Sequence, residues 1–224
     1  MVAAVGRYRG GMSVEAIGAL REPVRRAVYE YAARSAEPVG RDDVAGALGI
    51  GRTLAAFHLD RLAEAGLLDV SFERRSGRSG PGAGRPAKLY RRSAVEHAVS
   101  LPPRRYLDAA GLLAEAVESS GADEHLFEAA RRRGRVMGRD AGVGLVEVLA
   151  GQGYEPVPGA DRIELGNCPF HAVARDYPPL VCGMNLALLE GLVEGLDADG
   201  AVPRMDPVAG RCCVAIDISK NNDH

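Results

Sequence analysis

The sequence predicts an α+β chain built as two domains, and three observations carry that reading. Apolar residues recur at helical spacing through both halves, broken by short runs that read as strands. The charge divides with position: residues 1–105 carry 18 Lys and Arg against 11 Asp and Glu, whereas residues 106–224 carry 10 against 19. Between the halves, AVEHAVSLPPRR (94–105) reads as a linker, because Pro102 and Pro103 break any helix. The expected layout is a tail at 1–12, a first domain at 13–93, the linker, a second domain at 106–219 and a short tail at 220–224.

Composition narrows the class. An apolar fraction of 46% with 26% charged residues is that of an ordinary soluble globular chain. With no Trp, the core must come largely from Ala, Leu and Val. No apolar run approaches the ~18 residues of a membrane span, and the first residues lack the apolar stretch of a secretion signal. A cytoplasmic protein with no membrane partner is expected. In that compartment four cysteines are expected to be free, metal-bound or redox-active rather than paired in structural disulfides.

In the first half, Arg21–Ser35 places Val24, Ala27, Val28 and Tyr31 on one helical face, with Pro23 in the first turn. Asp42–Leu48 reads as a short helix, Gly49 as its stop, Ile50 as a core plug, and about Arg52 to Ala65 as a second helix ended by Gly66. Helix, tight turn, helix is a helix-turn-helix pattern. On the second helix, Leu54, His58, Leu62 and Ala65 are expected to face the core, with Arg52, Thr53, Ala56, Phe57 and Asp60 broadly opposite. His58 reads as a structural histidine. Phe57 is either an exposed contact or packed under the following hairpin.

Leu67–Arg74 and Ala87–Arg92 read as strands joined by RSGRSGPGAGRP, too rich in Gly and Pro to pack. Arg74, Arg75, Arg78, Arg85, Lys88, Arg91 and Arg92 fall in residues 74–92, which contain no acid. A basic hairpin beside a helix-turn-helix is a winged helix, whose mobile wing reaches phosphates and the minor groove of duplex DNA. Arg52 and Thr53 stand at the helix end that approaches base edges, with Arg52 suited to guanine, Phe57 to a thymine methyl and Arg61 to phosphate. The alternative is a solvated surface loop.

RTLAAFHLDRLAEAGLL followed by GRPAKLYR resembles the winged-helix regulators of the ArsR-like class, over roughly Ser13–Ser93. The resemblance implies a DNA-binding homodimer whose two recognition helices read half-sites in successive major grooves.

In the second half, Tyr106–Ser120 and about Asp123–Gly151 read as two helices. The first places Leu107, Ala110, Leu113, Ala114 and Val117 at helical spacing, suited to a dimer or interdomain contact. The RRRGR run (Arg131–Arg135) is either a solvated face or a site for an acidic ligand. Tyr154–Pro158 and Ile163–Leu165 read as strands, Phe170–Arg175 as a short helix, Pro179–Leu196 as a longer one, and Arg211–Ile218 as a terminal strand. Strand alternation would send Cys212 and Cys213 to opposite faces, so that one of them joins any site with Cys168 and Cys182. Cys168, His171, Cys182, Cys212 and Cys213 are the candidate metal ligands, for zinc or a [4Fe–4S] cluster. Cys182 is expected near a helix N-terminus that favours thiolate. Burial as small apolar residues is the competing reading.

The pattern around NCP, then LVC, an amphipathic helix and a terminal Cys strand resembles the C-terminal domain of the repressors of iron–sulfur assembly operons (SufR). That resemblance implies an Fe–S cluster on Cys168, Cys182 and one of Cys212 and Cys213. The chain departs from it in the PFH after Cys168, in Asn185 where an acid is usual, and in the doubled terminal cysteine. The expected function is a homodimeric transcriptional regulator, a repressor, sensing a cluster or metal. The alternative is a regulator that senses an organic effector, its cysteines purely structural. Without a Ser/His/Asp order, a phosphate-cradling Gly loop or a C-x-x-C, an enzyme is not expected. A module that only binds protein would differ in the salt dependence of any DNA affinity.

Overall fold

The computed structural model describes residues 10–73, 86–208 and 210–219. The chain separates into two compact units, with the boundary between Arg104 and Arg105. Arg74, Arg75, Arg78 and Arg85 of the expected basic hairpin lie outside the described residues.

The first unit runs α1 (Gly10–Ala19), α2 (Pro23–Arg34), α3 (Arg41–Leu48), α4 (Arg52–Glu64), β1 (Leu68–Glu73) and β2 (Ala87–Arg92). Helix α1 starts inside the segment expected as a tail, and its Ala16 is fully buried in the core of the unit. The Glu22 carboxylate caps α2 by accepting from the backbone N–H groups of Val24 (3.0 Å) and Arg25 (2.6 Å), with Pro23 as the first helical residue. Gly49, at φ 64°, turns the chain out of α3, and half-buried Ile50 packs against the core before α4 begins. Val28, Ala32, Val44, Ala55, Leu59, Leu62 and Leu68 form that core. The two strands pair antiparallel, Val70 opposite Tyr90 and Leu68 opposite Arg92. Part of the segment expected as a linker lies on this unit, where the His97 imidazole hydrogen-bonds the Gly66 carbonyl at 3.2 Å.

The second unit runs α5 (Tyr106–Ser120), α6 (Asp123–Arg139), α7 (Leu145–Gly151), β3 (Pro156–Pro158), β4 (Arg162–Leu165), α8 (His171–Ala174), α9 (Pro178–Gly195), β5 (Ala201–Met205) and β6 (Val214–Ile218). The strands form one antiparallel sheet in the order β3-β4-β6-β5. The single helix expected over Asp123–Gly151 is in fact two. It breaks where Gly142 takes φ 62°, and α7 turns Leu149 into the core. Strand β5 carries no alternating apolar signal and was not expected; it pairs along β6, with Pro203 opposite Ile216.

One face of this sheet is apolar and the other ionic. Ile163, Leu165, Val214 and Ile216 pack with Leu149, Leu189 and Leu192. On the other side, Arg162 bridges Asp217 (3.0 Å) and Asp206 (2.8 Å), and Arg211 binds Asp206 (2.8 Å) and Glu164.

Helices α6 and α9 cross at unusually close range, because four glycines meet there. A Cβ on Gly134 would stand 2.1 Å from the Leu188 carbonyl oxygen, and one on Gly191 would stand 2.1 Å from that of Arg131. Gly138 and Gly195 repeat the arrangement one turn on, at 2.5 Å and 2.3 Å from Leu192 and Arg135. The crossing also accounts for half of the arginine run. Arg131 pairs with Glu190, and Arg135 Nε lies 2.5 Å from Glu194. Arg132 pairs loosely with Glu128 at 3.7 Å.

Candidate functional site

Two sites emerge, one in each unit. The first is the outer face of α4. Ala55, His58, Leu59 and Leu62 are its buried residues, which turns Arg52, Thr53, Phe57 and Arg61 to solvent and leaves Ala56 half-buried. Leu54, expected in the core, is 42% exposed, and Leu59 takes the inward position instead. The axis of the apolar stripe is therefore rotated from the one expected, with Ala55 and Leu59 at its centre. Phe57 is 50% exposed. The Arg61 guanidinium lies 5.8 Å from the Phe57 ring centre, a cation–π contact on the solvent side.

The hairpin is fastened to this helix by a polar triad. Asp60 accepts from Lys88 Nζ (2.5 Å) and from the Tyr90 hydroxyl (2.7 Å). The Lys88 hydrogen bond holds the Asp60 carboxyl below its usual range, while burial, then Asp60, push the Tyr90 phenol up to about 12. Lys88 is thus already partnered, and its charge is shared with Asp60. Arg52 likewise forks onto Asp42 of α3, Nε to Oδ1 at 2.5 Å and Nη2 to Oδ2 at 2.9 Å. Both partners are more than half exposed, so the pair is weak and can be exchanged for another anion. His58 is buried, with Nδ1 3.7 Å from Glu22 and without a hydrogen-bond partner among the described residues.

The second site is a sulfur cluster that the strand pattern had divided. Residues 212 and 213 do not belong to β6, which begins at Val214; they sit in the bend leading into it. The Cys212 N–H donates to the Leu165 carbonyl at 2.9 Å, which ties the bend to the end of β4, just before Cys168. Freed from strand alternation, both cysteines reach the others. The thiols are close enough to shift one another in pairs, Cys168 with Cys212, Cys212 with Cys213 and Cys213 with Cys182. The expectation that only one of the doubled pair can join is therefore corrected. Cys182 lies in the second turn of α9, beyond the N-terminal groups expected to favour its thiolate.

One buried amide organises the cluster. Asn185 is fully buried; its Nδ2 donates to Cys212 Sγ at 3.3 Å and its Oδ1 accepts from the Tyr154 hydroxyl at 2.6 Å. Tyr154 is 1% exposed, and burial pushes its phenol far up, so it stays a donor. Cys168 and Cys213, the Val214 N–H and the Asn185 amide together hold the Cys212 thiol well below its ordinary range, against its burial. Cys168 and Cys213 are pushed up, first by Cys212 and then by burial. The directions thus favour the thiolate at Cys212 over Cys168 and Cys213.

His171 is not part of this arrangement. It is exposed at the start of α8, and its ring appears in none of the interactions that shift the thiols. Among the described residues, no group of three or more His, Cys, Asp or Glu side chains is disposed to hold a metal ion as it stands. The donor chemistry of the four sulfurs suits a thiophilic metal or an iron–sulfur cluster, provided that sulfur–sulfur contacts are exchanged for metal–sulfur bonds. Asn185 and Tyr154 are the site residues that sequence reasoning missed. The available signal was an amide in the apolar run LVCGMNLALL, since a buried amide in such a helix needs partners.

No protein-family model matches this chain, and no curated protein matches it. The functional reading rests on the two sites just described.

Proposed function

We propose that this protein is a DNA-binding transcriptional regulator, a repressor acting as a homodimer, with a winged helix-turn-helix as its first unit and a thiol-based sensor as its second. One observation carries the proposal. Helix α4 buries one stripe and leaves Arg52, Thr53, Phe57 and Arg61 on a solvent face, while Asp60 fastens the adjoining antiparallel ribbon to the same helix. Arg52 and Thr53 occupy the first turn, the end that a recognition helix brings to base edges. Exchange of the exposed Asp42 partner for a guanine edge or a phosphate gives Arg52 its role. The dimer contact is assigned to α5, whose outward Tyr106, Ala109, Leu112, Leu113 and Ala116 form an apolar stripe facing solvent.

A cluster or zinc would be held by Cys168 and Cys182 with Cys212, Cys213 or both, and would supply occupancy that responds to metal, iron or oxidant. This chain's own part is to keep Cys212 anionic and oriented through Asn185, and to carry the state of Cys182 along α9, which touches α5. A change in α5 would alter the separation of two recognition helices that must span about 34 Å. Moving DNA occupancy from 1:99 to 99:1 needs about 5.5 kcal/mol of difference between states.

The test is fluorescence anisotropy on an operator selected from random duplexes, using protein purified without oxygen and assayed for iron, sulfide and zinc. Affinity is expected to fall by ~10³–10⁵ between 50 and 200 mM salt if about 6–10 phosphates are neutralised. Arg52→Ala should relax base preference, and Asp42→Ala, which frees Arg52 and removes a negative charge, should tighten binding. A salt-indifferent curve, or preference unchanged by Arg52→Ala, would refute the DNA-binding assignment. Metal or cluster content that survives Cys168→Ser would refute the sensor assignment separately.

A further inference from the structure

The arginine run leaves one guanidinium unused. Arg131, Arg132 and Arg135 are paired with Glu190, Glu128 and Glu194, whereas Arg133 has no ion pair among the described residues. Arg133 opens onto a cleft of about 260 Å³ in the second unit, whose other walls include Met137, Gln152, Tyr154, Phe170 and Leu188. That volume falls just below the span of drug-sized pockets, which suits a small molecule. The walls are mostly apolar and aromatic, with one cation and one amide at the edge. Such a composition matches a compact apolar body bearing one carboxylate.

We propose that this cleft binds a small organic carboxylate, with Arg133 taking the carboxylate and the part-exposed Phe170, Met137 and Leu188 side chains enclosing the apolar part. Arginine suits the role, because its planar fork meets a carboxylate through two parallel N–H donors. Gln152 offers a second donor at the same rim. The cleft shares a wall with the sulfur site. Tyr154 borders the cleft from beneath, nearly all of it buried, and its hydroxyl holds Asn185, which in turn holds Cys212. Phe170 is two residues from Cys168, and its backbone lies close enough to that sulfur to lower its pKa. An occupant therefore sits one side chain away from the thiols. This assignment does not depend on whether the thiols hold a metal, nor on DNA binding.

Isothermal titration calorimetry of the full chain tests it, with benzoate, phenylacetate and hexanoate each compared with its primary amide. At least one carboxylate should bind saturably at one per chain, and its amide about tenfold to a hundredfold more weakly, the weight of one charge-assisted hydrogen bond. Arg133→Gln, a change on an exposed helix position, should lower the carboxylate to the level of the amide and leave the amide unchanged. Phe170→Ala should weaken both. Absence of saturable binding by all three carboxylates would overturn the proposal, as would equal affinity for acid and amide, or a carboxylate affinity indifferent to Arg133→Gln.

Discussion

Replacing Asn185 by Leu isolates the polar link at the centre of the sulfur site. Leu keeps the branched shape of Asn but is larger, so some overpacking accompanies the loss of hydrogen bonds, and the double-mutant cycle below cancels it. Tyr154 and Asn185 are both essentially inaccessible to solvent, and the hydroxyl lies 2.6 Å from Oδ1. Leu at 185 leaves that hydroxyl buried without an acceptor, which costs about 1–3 kcal/mol. The 3.3 Å bond from Nδ2 to Cys212 Sγ goes as well and adds to the loss, since a sulfur held toward the thiolate is the stronger acceptor. Tyr154→Phe alone strands the Asn185 oxygen instead, at a similar cost. In the double variant both partners are apolar, and most of the penalty should disappear. A double-mutant cycle read by urea unfolding and far-UV circular dichroism should give a favourable coupling of about 1–3 kcal/mol. Thiolate absorbance in the ultraviolet separates the two halves of the link. Asn185→Leu should raise the Cys212 titration toward the ordinary thiol range, whereas Tyr154→Phe should move it much less. Additive single and double variants, with coupling under about 0.5 kcal/mol, would refute the reasoning.

Two further outcomes follow from the packing and from pH linkage. Gly191→Ala forces a Cβ to 2.1 Å from the Arg131 carbonyl, so α6 and α9 must part; unfolding should be easier by more than the ~1–3 kcal/mol of ordinary overpacking, offset only by ~1 kcal/mol of helix propensity. Gly111→Ala in α5, where nothing lies within 4 Å of the new Cβ, should instead stabilise by up to ~1 kcal/mol, and opposite shifts in urea midpoint check the pair. Burial lowers the pKa of His58 from 6.5, against the opposing pull of Glu22, so the unfolded chain binds this proton more readily than the folded one. The associated stability is present above pH 6.5 and lost as pH falls below it, through the folded-state value. Urea midpoints of the first unit should therefore decline on acidification, and less steeply in His58→Gln.

Much of the local architecture was legible because it is governed by local chemistry. Pro23 and Gly49 mark helix ends through their backbone preferences, and Tyr106–Ser120 was readable to the residue from its apolar spacing. The thiols as a group were visible too, as an unusual density of cysteine late in the chain. Periodicity failed where it was weak or continuous. The apolar repeat hardly falters between α6 and α7, yet Gly142 adopts a left-handed conformation there. Leu54 and Leu59 compete for the same stripe on α4, and only packing against α2 and β1 selects Leu59.

By itself, then, the sequence determined most of the order of helices and strands, the break between α6 and α7 and strand β5 excepted, together with the division into a basic and an acidic half and the set of residues able to do chemistry. Those properties depend on neighbours a few positions away and on composition. The tertiary structure alone decided which of these residues are partnered. Arg131 and Arg135 find Glu190 and Glu194 59 residues on, at a helix crossing that four glycines make possible. Cys212 and Cys213 leave the strand and meet Cys168 and Cys182, and Asn185 reaches Tyr154 across the core. Such pairings depend on how distant segments pack, and charge or thiol chemistry is set by the partner as much as by the residue.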